Sequence, residues 1–259
     1  MGRGLRPTSA GLALADQADA ILARLGEAET VVADLRAGRT GRVSIGYFAS
    51  VGAAWLPRVV RRLSAEFPGV RLDLSLLEWL PDDPVARPDL QVAVERPEFV
   101  PGPGFSTRHL LDDPYLAVLP AGHRLAGRTE VELAELAGEH WVDNDFARGW
   151  CRRNLVEACT AAGFSPPFHV EAHDYPTALA FVAAGVGMTV LPELGAARLP
   201  EGVCTVRVVR PTPVRTIMAV LRDGAARTPP VRAALAELQA VAGAGLSPAG
   251  APFSPVGAP

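Results

Sequence analysis

The residues best placed to do chemistry in this chain are small ones. In "GRVSIGYFASVGAAWLPRVVRRL", from Gly41 to Leu63, Val43, Ile45 and Tyr47 alternate with smaller or polar residues, as in a strand. Ala49 to Ala54 then form a bare, uncharged junction, and an apolar-periodic helix begins near Ala54 and runs to about Phe67. Backbone N–H groups at such a strand-to-helix junction favour an anion, so Ser50 and Val51 are expected to hold a small carboxylate. The competing explanation is that small residues let the helix pack tightly on its sheet. Asn144 can donate to a ligand or cap the helix that follows "HWVDND", and Arg148, in that helix's first turn, can clamp a carboxylate or lie free on the surface.

Other groupings carry less. His169, Glu171 and His173 share one face of an expected strand, but the outer two are about 13 Å apart, which suits a solvated face better than a metal. Cys151 and Cys159 are eight residues apart on one expected helix, about 12 Å along its axis, too far to bridge without refolding. No nucleophile elbow, phosphate loop or His-Glu-x-x-His motif occurs. No catalytic residue, metal or cofactor is expected, and the chain is read as a non-enzyme.

The bulk properties agree. The chain has 259 residues, 49% hydrophobic and 20% charged, enough for two modest α/β units. A formal net charge of −3 provides no global field for nucleic acid. No apolar run suits a membrane span or a signal peptide, and three cysteines fit a reducing compartment, so a cytoplasmic location is expected.

The elements that must position these residues follow from periodicity. Thr8 or Ser9 can cap a helix reaching about Arg36, stopped by Gly38. Leu14, Ala18, Ile21, Leu25, Ala28, Val32 and Leu35 form a heptad seam along it, which suggests pairing with another subunit; the alternative is a helix lying on its own domain. Strands are expected at Val43–Tyr47, Val70–Leu76, Leu90–Val94, Tyr115–Leu119, Val203–Val209 and Thr216–Leu221, with others in "HWVDND", "FHVEAHD" and "GMTVLP". Asn144 or Asp145 is expected to start one helix and Asp174 another, and a last helix covers about Pro230–Val241. The 243–259 tail, rich in Gly, Pro, Ala and Ser, reads as disordered.

In order and spacing, "GRVSIGYF…WLPRVVRRLSAEFPGVRLDLSLLE", "PDLQVAV", "DDPYLAVLPAGHRLAG" and "ALAFVAAGVGMTVLPE" resemble the regulatory part of LysR-type transcriptional regulators, over about Pro7 to Ala242. The resemblance implies two Rossmann-like subdomains, as in type 2 periplasmic binding proteins, with a small inducer in the cleft. It divides the chain into 1–40 (wing remnant and linker helix), 41–118 plus 214–242 (subdomain I), 119–213 (subdomain II) and 243–259. Positions matching the family's cleft are Ser50, Val51, Leu80, Asn144, Phe146 and Asp174. The seam helix resembles the family's dimerisation linker, implying a homodimer or homotetramer. Only eight residues precede Ser9, so most of the winged helix-turn-helix is expected to be missing, leaving Arg3 and Arg6 as a minor basic patch; DNA binding then requires that domain to be supplied. In "WLPDDPVARP", Pro81, Pro84 and Pro88 forbid the helix the family has between its second and third strands, trimming one wall of the cleft. The alternatives are a cytosolic solute-binding protein or a small-molecule enzyme on the same fold.

Overall fold

A computed structural model describes residues 8–38, 40–145 and 149–244. Phe146 and Arg148, the basic residues of the first seven positions, and the tail from 245 onward lie outside the described residues.

Helix α1 (Ser9–Arg36) begins where the Thr8 hydroxyl accepts the Gly11 N–H at 3.1 Å and ends at Gly38, whose φ of 68° is the left-handed geometry glycine tolerates. Its seam from Leu14 to Val32 faces solvent in the single chain, Leu14 being 72% exposed and Ile21 61%, while the Leu35 side chain lies outside the described residues. Ala18, Leu25, Ala28 and Val32 are exposed as well.

Strand β1 (Gly41–Tyr47) pairs in parallel with β2 (Val70–Leu76) and β3 (Leu90–Val94). The expected turn after β1 is instead a short helix, α2 (Ala49–Ala54), which breaks at Trp55 before α3 (Leu56–Glu66). Pro57, in the first turn of α3, has no N–H to continue the ladder across the break.

The main departure from expectation is β4, which runs from Phe105 to Pro120 rather than beginning at Tyr115. Through Phe105–Pro114 it pairs antiparallel with β10 (Val214–Arg222), which also pairs with β3. From Tyr115 onward it pairs with β8 (Thr189–Pro192) and β9 (Val203–Val209). A further short strand, β5 (Glu130–Glu132), joins β9 in parallel, and β6 (Trp141–Asp143) pairs in parallel with β7 (Phe168–Glu171). That pairing stacks His140 against His169, ring centroids 4.4 Å apart.

Two large apolar cores result, with smaller clusters beside them. One lies where α3 and α6 (Pro229–Gly243) cover β1, β3 and β10, around Ile45, Val59, Leu90, Ile217 and Leu238. The other gathers Tyr115, Leu133, Trp141, Leu155 of α4 (Trp150–Ala161) and Met188. We call the bodies around them the first and second lobes; β4 and the return into β10 connect them. Helix α4 starts at Trp150, not at Asn144 or Asp145, with Gly149 in the N-cap position. Helix α5 (Tyr175–Ala183) is capped as expected, Asp174 accepting the Thr177 N–H at 2.7 Å. Helix α6 extends to Gly243, one residue into the segment read as disordered.

The connection from β2 to β3 is helix-free and is held as an ordered loop. Arg87 donates to the carbonyls of Pro81 and Pro101, and both Arg87 and Arg222 stack on Phe105, at 5.1 and 4.9 Å. The loop closes directly over β1: a Cβ on Gly46 would lie 2.9 Å from Pro88 Cγ and 3.0 Å from Leu77 Cδ1. Leu80 and Phe99 cover this face of the sheet, packing on Ala93 and Met218.

Candidate functional site

A cleft of about 1630 Å³ separates the lobes. The first lobe contributes Phe48, Ser50, Glu78, Trp79 and Leu80; the second contributes Asn144, Asp145, Trp150, Cys151, Asp174 and Tyr175. Of the sequence-predicted positions, Ser50, Leu80, Asn144 and Asp174 therefore line one space. The Val51 side chain does not: it is fully buried in the first core, and only its backbone stands at the start of α2. The first bond within α2 runs from the Gly52 N–H to the Phe48 carbonyl at 3.0 Å, so the earlier amides of this helix have no partner inside it. Of these, the Ala49 N–H is taken by Glu78 Oε1 at 3.3 Å. Burial pushes the Glu78 carboxyl above the ordinary range, with Asp145 across the cleft adding to the effect.

Asn144 caps no helix. Its side-chain amide donates to Thr189 Oγ1 at 2.7 Å and to the Val190 carbonyl at 2.9 Å, fixing the end of β6 to β8. Asp174 spends its carboxylate on the first turn of α5, accepting from both the N–H and the hydroxyl of Thr177.

The floor of the cleft is built by a residue that the sequence pattern did not disclose. Arg215, 2% exposed, lies opposite Asp113 in the β10–β4 register, where the chain passes between lobes. Its Nε and Nη2 donate to Asp113 Oδ2 at 2.9 and 2.8 Å, and Nη2 also donates to Ser50 Oγ at 2.9 Å. Nη1 reaches Cys151 Sγ of the second lobe at 3.6 Å, and the guanidinium lies 5.0 Å from the Phe48 ring centroid. Asp113 Oδ1 accepts the Leu194 N–H at 3.0 Å. Burial opposes charge on Arg215, but the acidic groups around it more than offset this, so its pKa is raised and it stays cationic. Burial likewise pushes Asp113 upward, against the pull of Arg215 and the amides. Tyr115 and Tyr175 are both raised, burial being the first cause and Cys151 the next.

Cys151 therefore belongs to the cleft floor, whereas Cys159 is fully buried in the second core and its thiol is pushed up to about 12 by desolvation. Both lie on α4, so the separation expected from their spacing holds. Among the described residues no helix is long and apolar enough to cross a membrane.

Two α/β bodies joined by crossing strands, with a lined cleft between them, agree with the comparisons. The family model for the LysR substrate binding domain matches residues 36–243. The chain belongs to the LysR family. It is the regulatory domain of a LysR-family transcriptional regulator, and its relatives are regulators rather than enzymes. A hydrogen peroxide-inducible genes activator of Pectobacterium carotovorum subsp. carotovorum is 30% identical over 226 residues, covering 84% of this chain and 72% of that protein. Among solved structures, a full-length OxyR variant from Pseudomonas aeruginosa superposes with a TM-score of 0.74 at 18% identity, covering 91% of this chain and 78% of that one. The effector binding domain of QuiR in complex with shikimate gives a TM-score of 0.64 at 13% identity, covering 80% of this chain and 99% of that one.

Removing one partner of a buried ion pair strands the other. Arg215→Met is expected to cost about 3–5 kcal/mol in urea unfolding, and Asp113→Asn in the same chain to restore part of it. Additive losses in the double variant would show that the two side chains are not coupled.

Proposed function

We propose that this LysR-family domain senses a small organic acid in the cleft between two subdomains, 41–118 plus 214–242 and 119–213. The observation that carries the reading is the cleft itself: it is lined from both lobes, and Ser50 on one wall is hydrogen-bonded to the buried Arg215 on the floor. The shikimate in the QuiR domain, an acid bound within the same fold, supports the choice of ligand class. A ligand touching both lobes binds the arrangement that brings its contacts together, and a coupling of about 1–3 kcal/mol changes a linked affinity some 5–150-fold. We infer further that α1 pairs subunits through its exposed apolar seam, since stripes like that of Leu14, Ile21 and Leu25 bury best against a second helix.

A second reading has one observation in its favour. Cys151 lines the cleft beside the Arg215 guanidinium, and the Pectobacterium relative is named for hydrogen peroxide. On that reading the stimulus is oxidation of the Cys151 thiol by a peroxide.

Thermal-shift screening of small aromatic and aliphatic acids tests the first reading. A binder should raise the melting midpoint, and Ser50→Ala, which removes the wall's hydroxyl at little change of volume, should reduce the rise; an undiminished response would take Ser50 out of the site. For the seam, Ile21→Asp should lower the mass found by light scattering to that of a single chain, and an unchanged mass would place the subunit contact elsewhere. For the second reading, mass spectrometry after stoichiometric peroxide should find oxygen on Cys151 and none on Cys159. Equal oxidation of both, or of neither, would remove it.

A further inference from the structure

Tyr175 is the first residue of α5, at the second lobe's side of the cleft. Its ring is wedged over the backbone of Gly195, where a Cβ would come within 2.6 Å of Tyr175 Cδ2. Cys151, Arg215, Asp145 and Asp113 all act on the phenol electrostatically, and its hydroxyl makes no hydrogen bond to another described residue. The contrast with Tyr115 is informative. Tyr115, in the same cluster, donates to the Cys151 carbonyl at 2.9 Å and has its hydrogen bond satisfied inside the protein. Tyr175 is only half-buried, so this hydroxyl opens to the cleft, and a ring held in place with its hydroxyl bonded to no protein group is available to one arriving from outside.

Two further donors lie beside it. Ser50 Oγ accepts from Arg215 Nη2, so its own proton remains free to donate. Arg215 Nη1 carries two protons, and its one hydrogen bond, to Cys151 Sγ, is long at 3.6 Å. The floor thus offers donors from α2, α5 and β10, with Asp113 already engaged by Arg215, and the carboxylates of Glu78 and Asp145 stand on the walls. Asp113 already offsets the guanidinium charge, so recognition there depends on the directions of the donors more than on net charge.

Resting on the organic-acid reading above, the geometry points to Tyr175 as an effector-binding residue whose hydroxyl donates to a carboxylate oxygen of the effector, opposite Ser50 of the first lobe. A carboxylate spans the two with its two oxygens, one on each lobe. Affinity then depends on how closely the lobes approach, which is the differential contact that lets a ligand select one arrangement.

Tyr175→Phe tests this, because it keeps the ring on Gly195 and removes only the hydroxyl. The full chain is titrated with benzoate, succinate, shikimate and 2-phosphoglycolate, followed by the fluorescence of Trp79 and Trp150, which line the cleft. The expected result is that at least one of the four binds the wild-type chain, that Tyr175→Phe weakens it about tenfold, as for a lost hydrogen bond to a charged acceptor, and that the ligand-free melting midpoint does not fall. Ser50→Ala should weaken the same acid by a comparable factor. Equal binding by Tyr175→Phe and wild type would overturn the role of Tyr175 while leaving the organic-acid reading in place. If none of the four acids binds the wild-type chain, the organic-acid reading fails and the inference fails with it.

Discussion

The buried contact between Arg215 and Asp113 is the constraint on which the arrangement depends. Two charges taken out of water cost several kcal/mol each unless every donor and acceptor is met. Here nearly all are: Asp113 takes two guanidinium bonds and the Leu194 amide, and Arg215 adds Ser50, the face of Phe48 and the sulfur of Cys151. Such a pair is weak evidence for stability but strong evidence for register, since few other alignments of β4 on β10 would satisfy both groups. It fixes the two chain crossings to one another, and through Ser50 and Cys151 it fixes the first helix of each wall to that same point. The cleft has the shape it has because its floor is a closely bonded polar knot.

Elements with a local signal were readable in the sequence. The seam of α1, the alternation in β1 and β2, the Asp174 cap and the proline-barred loop all follow from spacing within a dozen residues. What was lost depended on partners distant in the chain. The first half of β4, "FSTRHLLDDP", carries Arg108, His109, Asp112 and Asp113 and has no apolar alternation; it becomes a strand because β10 pairs along it. Arg215 stands at the charged end of an apolar strand and reads as a surface residue until Asp113, 102 positions earlier, is seen across from it. Asn144 was expected to donate to a ligand or cap a helix; it caps none, and its side-chain amide makes a long-range contact to Thr189 and Val190 that no local pattern disclosed. Ser50 was legible as a small residue at a bare junction. Its hydrogen bond to Arg215 was not.

The helix-free connection from β2 to β3 shows how a loop can cover a sheet face. That face is polar on β2, where Arg71 and Asp73 pair with each other, and apolar only toward β3 and β10. A loop can therefore cover the apolar part with Leu80 and Phe99. Gly46 lets that loop lie flat on the strand, and arginines hold its carbonyls in place of intrahelical bonds. The loop leaves Trp79 57% exposed at the mouth of the cleft.

Strand β4 passes through both lobes without a break, 16 residues long, and β10 runs beside its first half. The joint between the lobes is thus a two-stranded ribbon rather than a flexible linker. A ribbon of this kind yields mainly by winding or unwinding a few degrees per residue while keeping its hydrogen bonds. A turn of the lobes about this ribbon also changes how closely the two walls of the cleft approach. The signal this domain sends would then be a change of twist, with both outer faces turning together.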